Sequence, residues 1–227
     1  DTWDGTVFNV SQASSQYLRS GRELPWTPDA DPARAEVTAV GYDDVWVPSF
    51  GDSSSIEFSG DRATAQARGL YYNRTTHQAL TTGRLAEGTA LIVDAVPVVL
   101  QDEAEREALA EAGIGRSALA EVSRVPDVLV KAATDWTSEA TSAYGQLEII
   151  AERLRAEGFY SDGSDGKSRS GHTAERLATM FNQPQWVGDD EQYATAMALM
   201  ATQLGIPVRV VMGFHPLEGD APTEEWD

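Results

Sequence analysis

The sequence contains no cysteine, and this absence removes several kinds of chemistry at once. A disulfide framework, a thiolate zinc site and a cysteine nucleophile are all excluded within this chain. Histidine is almost as scarce, since only His77, His172 and His215 occur and they lie far apart in the sequence. A histidine-rich metal site is therefore not expected, and we predict no cofactor.

Basic residues are also few. The chain carries 17 Lys and Arg against 36 Asp and Glu, a formal net charge of −19. Such a balance repels nucleic-acid phosphates and disfavours an anionic membrane surface as a direct partner. A run of roughly 20 apolar residues is missing as well, so we do not expect this segment to span a membrane. The simplest interpretation of the acidity is solubility.

The first hundred residues indicate β structure. Six short runs are rich in Val, Ile, Tyr, Phe and Trp and are broken by Gly, Pro, Asp and Ser. They cover residues 5–10, 35–42, 45–49, 55–60, 70–76 and 90–99. Residues 27–35 and 49–55 have the composition of loops. The sequence therefore predicts a β-rich N-terminal module over residues 1–100.

Helical patterns dominate after residue 100. Helices are predicted over 101–113, 126–141, 143–158 and 172–181, with a connector at 113–126 and a flexible loop at 161–171. A further helix begins within "VGDDEQYATAMALM" (187–200) and stops at Gly205, and a buried strand is predicted over 207–214. We expect an α+β protein with a helical linker at 101–125 and a second domain at 126–227.

Three acidic residues, Asp189, Asp190 and Glu191, stand at the start of this last helix. Aspartate is among the best N-caps, and carboxylates are favoured at the positive end of the helix dipole. The simplest interpretation is that these acids cap and charge the helix, with Asp190 as the leading candidate for the cap. Two alternatives stay open: a site for a cation, such as calcium, or a small ligand, and residual chemistry.

The pattern Gly188-x-x-Glu191, an apolar helix, "LGIP" (204–207) and "VRVVMGF" (208–214) resembles the core of the transglutaminase-like family, relatives of the papain-type cysteine proteases. The resemblance extends back through residues 149–160. Residues 1–100 look similar, less specifically, to the β region that precedes this core in large bacterial membrane-anchored transglutaminase-like proteins. The other matching residues are Asp190, Tyr193, Ala194, Leu204, Gly205, Ile206, Pro207, Arg209, Gly213 and Phe214.

The resemblance implies a papain-like core of helices and antiparallel strands, incomplete in this chain, with its nucleophile replaced. The family places a cysteine thiolate where this sequence has Asp190, and a carboxylate is a much weaker nucleophile toward amides. The family's histidine would lie on a later strand, and His215 does not match it. In papain-like enzymes an upstream polar side chain helps to hold the oxyanion, and Gln185 or Gln183 could serve this role, whereas Trp186 is interpreted as a core anchor.

These expectations lead to three functional hypotheses. The first is a catalytically inactive, extracytoplasmic transglutaminase-like domain of a membrane-anchored bacterial protein. It would be flanked by transmembrane helices and would interact with an envelope protein or peptide partner. The second is an active acyltransferase or amide hydrolase that uses a histidine beyond residue 227. The third is a cation- or small-ligand-binding module built on Asp189, Asp190 and Glu191, with Gln185, Trp186 and Tyr193 as possible neighbours of the site.

Overall fold

A computed structural model describes residues 2–9, 17–25, 29–73, 76–97, 108 and 124–213. By its contacts the chain divides into two compact units. The helical unit comprises Asp1–Ala13 and Gln101–Val211, and the β unit comprises Ser14–Leu100 and Met212–Asp227. The expected α+β class is confirmed, because strands dominate the described N-terminal residues and helices dominate the described C-terminal ones.

A short antiparallel hairpin opens the chain, with β1 at Thr2–Trp3 and β2 at Phe8–Asn9. It belongs to the helical unit. Trp3 is buried in the helical core, and the Phe8 ring packs on it edge-to-face with centroids 5.4 Å apart. The aromatic residues of this stretch therefore serve a core and do not form an exposed binding face.

Within its described residues the β unit contains two antiparallel sheets and one short helix, α1 (Ala63–Arg68). Its strands in chain order are β3 (Tyr17–Arg19), β4 (Ala33–Thr38), β5 (Asp44–Val47), β6 (Gly51–Ser59), β7 (Leu70–Asn73), β8 (Gln78–Leu85) and β9 (Ala90–Pro97). One sheet has the order β3-β7-β8-β5 and the other β4-β9-β6. Alternate residues of β9, Leu91, Val93 and Ala95, are buried, and residues of both sheets share one hydrophobic core.

The strand predictions are largely confirmed, but β1 and β3 were not predicted, β4 begins inside the loop predicted over 27–35, and there are three further differences. The predicted loop over 49–55 is wrong in its second half, because β6 begins at Gly51. Ser53 and Ser55 are buried there, and serine-rich composition hid a strand that pairs with β9 along its whole length. The sequence also missed β8 and α1, since their Thr, Gln and Ala residues lack the apolar alternation that marks a strand or the apolar stripe of a longer helix.

Four helices and one parallel strand pair form the rest of the described part of the helical unit. The helices are α2 (Asp127–Trp136), α3 (Ala143–Glu157), α4 (Ala174–Phe181) and α5 (Asp190–Gln203). Strand β10 (Gly158–Tyr160) pairs with β11 (Trp186–Gly188) in parallel, where antiparallel strands had been expected. Helix α5 is the central element, because Ala196, Leu199 and Met200 on it are fully buried.

The helix predictions over 126–141, 143–158 and 172–181 are confirmed with ends shifted by a few residues. The helix predicted over 101–113 and the connector predicted over 113–126 lie outside the described residues, apart from 108 and 124–126. None of the helices in the described part of the chain has the length and apolarity that crossing a bilayer requires.

The predicted strand over 207–214 is wrong for residues 207–213, and residue 214 lies outside the described range. A strand needs a hydrogen-bonded neighbour, and no described segment pairs with this one. Its apolar side chains are consequently exposed, with Val211 at 69% and Met212 at 88%.

Candidate functional site

The start of α5 is closed by a capping box. Asp189 is the N-cap, and its Oδ1 accepts a hydrogen bond of 2.9 Å from the backbone N–H of Glu191. In return the side-chain Oε1 of Gln192 accepts from the N–H of Asp189 at 2.9 Å. The cap is therefore Asp189. The sequence had suggested Asp190, which is wrong. Both partners of the box satisfy helix-end donors that would otherwise lack an acceptor.

Glu191 is engaged by the loop that precedes α4. His172 Nδ1 lies 2.6 Å from Glu191 Oε1, and the N–H of Gly171 donates to Oε2 at 2.9 Å. Partial burial raises the pKa of Glu191, but the hydrogen bonds from His172 and Gly171 outweigh it and leave that pKa below its ordinary value. His172 thus holds Glu191, and the neighbouring Thr173 caps α4.

Asp190 lies in the first turn of α5 with its side chain exposed. Its carboxylate makes no hydrogen bond or ion pair with any residue of the described ranges, unlike those of Asp189 and Glu191. The position that the resemblance assigns to the nucleophile is thus presented to solvent at a helix N-terminus, a place that would favour a thiolate. The residue there offers only a carboxylate without a base beside it.

Two of the proposed neighbours of the site, Trp186 and Tyr193, build the scaffold. The Trp186 ring packs against Phe181 and Trp136 with centroid distances of 5.1 and 5.4 Å, as expected of a core anchor. The Tyr193 hydroxyl donates to the carbonyl of Trp186 at 2.6 Å and accepts from the N–H of Phe159 at 2.9 Å. It therefore ties β10 to β11, and burial raises its pKa.

Gly188 is required by close packing. A Cβ placed there would lie 3.0 Å from Gln192 Oε1 and 3.0 Å from the Met180 side chain. Any other residue would push on the capping glutamine and on the core at once. The glycine of the sequence pattern thus permits the close approach of β11 to the first turn of α5.

Gln185 does not join the acids at the start of α5 through any hydrogen bond among the described residues. It is exposed and lines an open cavity of about 570 Å3. The cavity is formed by Lys167, Arg169, Arg176, Thr179, Met180, Gln183, Pro184, Gln185 and Val187. An oxyanion role for Gln185 stays a prediction that this geometry does not test.

A metal centre is not formed by the described residues, since no three of their His, Asp or Glu side chains converge on one point. The three acids at the start of α5 diverge: Asp189 turns to the helix backbone, Glu191 to His172, and Asp190 to solvent. The hypothesis of a cation site there stays a prediction.

Comparison with known proteins identifies the C-terminal region. Residues 130–227 match the family model of the transglutaminase-like superfamily. This part of the chain is therefore a transglutaminase-like domain, as the resemblance implied. The comparisons give no match among curated proteins and none among solved structures.

The sequence analysis missed three residues of the site: Gln192, Arg176, and His172 in its role as the partner of Glu191. Gln192 follows Asp189 at the three-residue spacing of a capping box, which was a readable signal. Arg176 lies on the apolar face of α4 with Leu177 and Met180, and an arginine on such a face was also a signal. The contact between His172 and Glu191 joins two distant segments, and local patterns could not reveal it.

Proposed function

We propose that this chain carries a catalytically inactive transglutaminase-like domain, in an extracytoplasmic segment of a membrane-anchored bacterial protein, and that it binds an envelope protein or peptide. The observation that carries the proposal is the state of Asp190. This residue occupies the nucleophile position of the family, yet it is exposed and has no partner in the described part of the chain.

Acyl transfer through a covalent intermediate needs a strong nucleophile with an adjacent base. The chain contains no cysteine, so a thioester cannot form on it. A histidine oriented by a carboxylate can act as a base, and His172 is held by Glu191 in this way. However, His172 Nε2 is buried without a hydrogen-bond partner among the described residues. The pair therefore activates no hydroxyl or thiol there and serves to fix the loop before α4.

The membrane-anchored, extracytoplasmic placement rests on the similarity of residues 1–100 to the β region of bacterial membrane-anchored relatives. It is tested by protease treatment of intact cells and of spheroplasts that produce the full-length protein. The placement requires that the domain be cleaved in spheroplasts while a cytoplasmic marker stays intact. Protection of both proteins would refute it.

The absence of catalysis is tested with a fluorescent primary amine and a glutamine-containing peptide. We expect wild type to incorporate no more amine than Asp190→Ala. Asp190→Cys supplies the missing thiol at an exposed helix start. We expect this thiol to react with iodoacetamide, and its reactivity measures how accessible position 190 is.

Circular dichroism of all three proteins controls for folding. Amine incorporation by wild type that disappears in Asp190→Ala would contradict the proposal and favour an enzyme with a carboxylate mechanism. An unreactive thiol in a folded Asp190→Cys protein would instead show that position 190 is not the open nucleophile site.

A further inference from the structure

Arg176 is a buried arginine without a carboxylate partner. It is 7% exposed and lies on α4 between the core and the cavity described above. Its Nε donates to the carbonyl of Arg169 at 2.7 Å, and its Nη2 donates to Ser168 Oγ at 2.8 Å and to the carbonyl of Val187 at 3.0 Å. Nη1 makes no hydrogen bond with any residue in the described ranges.

The hydrogen bonds that hold Arg176 do not neutralise it. All of its acceptors are uncharged oxygens, and no described carboxylate lies within ion-pair distance; Asp189 and Glu175 act on it only through space. Burial, followed by repulsion from Arg169, lowers the pKa of Arg176, and the attraction of Asp189 and Glu175 offsets this only in part. Buried charges in proteins are ordinarily paired, because removing an ion from water is costly.

The two other cations of the cavity are already paired. Lys167 Nζ lies 3.1 Å from Asp165, and Arg169 Nη2 lies 3.1 Å from both oxygens of Glu175. Arg176 is therefore the cation of the cavity without a carboxylate within ion-pair distance among the described residues. A group with a single negative charge can supply that missing partner.

The rest of the lining fits a peptide. Met180, Pro184 and Val187 supply apolar surface for the methylene groups of a side chain. Gln183 and Gln185 are exposed at the cavity and carry amides that can both donate to and accept from a peptide backbone. Nη1 is the guanidinium nitrogen of Arg176 that is left to donate, and a hydrogen bond from this cation to a carboxylate is stronger than one to a neutral oxygen.

We propose that this cavity binds the side-chain carboxylate of an acidic residue in a partner peptide, with Arg176 as the charged anchor. The inference goes beyond the proposed function and does not depend on Asp190. Amine incorporation by wild type would overturn the inactive-domain proposal and leave this one standing. Failure of the binding test would leave the interpretation of Asp190 unchanged.

The test follows the assigned Arg176 Nε–Hε resonance in the folded protein by two-dimensional NMR. The probes are acetyl-Gly-Glu-Gly-amide, its Gly-Gln-Gly counterpart and inorganic phosphate. We expect a saturable shift with the glutamate peptide, at least fivefold weaker binding of phosphate, and no saturation with the glutamine peptide. Equal shifts with both peptides, or tighter binding of phosphate, would overturn the proposal.

A pair of matched variants localises the binding. Gln185→Glu places an isosteric carboxylate at the cavity, so it should compete for Arg176 and weaken binding of the glutamate peptide at least fivefold. Gln203→Glu makes the same charge change at an exposed position on α5 that does not line the cavity. Equal weakening by the two variants would show general repulsion by an acidic protein and would refute the site.

Discussion

Two charged side chains of low exposure, Asp94 in the β unit and Arg176 in the helical unit, are stabilised by different kinds of partner. In the β unit, Asp94 receives two hydrogen bonds from Arg34, at 2.7 and 3.0 Å, and one from Ser55 at 2.8 Å. In the helical unit, Arg176 donates to two backbone carbonyls, and Asp189 accepts from a backbone N–H. Asp94 is thus paired with an opposite charge, whereas Arg176 and Asp189 are bonded to the backbone, although the helical unit also has exposed ion pairs such as Arg169–Glu175.

The difference follows from the secondary structure. Arg34 and Asp94 are direct partners in the register of β4 and β9, where opposite charges on one face meet across the strands. Helix ends and loops instead expose N–H and C=O groups that need partners, and charged side chains supply them. We therefore expect the β unit to respond to salt and acid through its ion pairs, and the helical unit to respond to removal of its buried hydrogen bonds.

The largest expected effect comes from Arg176→Met. This change keeps an unbranched side chain but leaves the carbonyls of Arg169 and Val187 without their donor, at a cost of about 3 kcal/mol. Urea titration at two salt concentrations measures the free energy of unfolding. Arg34→Met is the matched control: its guanidinium is exposed, and we expect a much smaller loss that shrinks further at high salt. Equal losses in the free energy of unfolding would show that Arg176 and Arg34 contribute alike, contrary to the difference proposed between them.

The sequence could predict the helices of the helical unit because their apolar residues recur at helical spacing. It could not predict that Arg34 faces Asp94, because strand register depends on pairing between distant segments. It also assigned a buried strand to residues 207–214 from apolar composition alone, although an apolar run becomes a strand only when a neighbour pairs with it. The family pattern located Asp190 correctly at the helix start, but only the geometry distinguishes its exposed carboxylate from the bonded one of Asp189.

A smaller change in the free energy of unfolding is expected when the pH is lowered. The hydrogen bonds from Arg34 and Ser55 lower the pKa of Asp94 from 3.8 to about 2. A lowered pKa in the folded state means that the ionised carboxylate stabilises the fold. The stabilisation is therefore complete above the ordinary value of 3.8 and is lost as the pH falls toward 2.

Asp94→Asn should consequently be less stable than wild type by about 1 kcal/mol near neutral pH, a value reduced by solvent screening at this partly exposed pair. The difference should disappear as the pH falls through the same interval. Urea unfolding of both proteins across that range measures it, and a difference that does not change with pH would show that the ion pair contributes nothing.

The smallest expected effect distinguishes the adjacent acids at the start of α5. Asp189→Ala removes the N-cap and should cost about 1 kcal/mol. Asp190→Ala removes an exposed carboxylate that interacts only with the helix dipole, so it should cost less than about 0.5 kcal/mol. Thermal unfolding of both variants with and without millimolar calcium provides the measurement. Because the three acids point in different directions, we expect calcium to leave all melting temperatures unchanged. A calcium-dependent rise in wild type that Asp190→Ala abolishes would make this helix start a cation site.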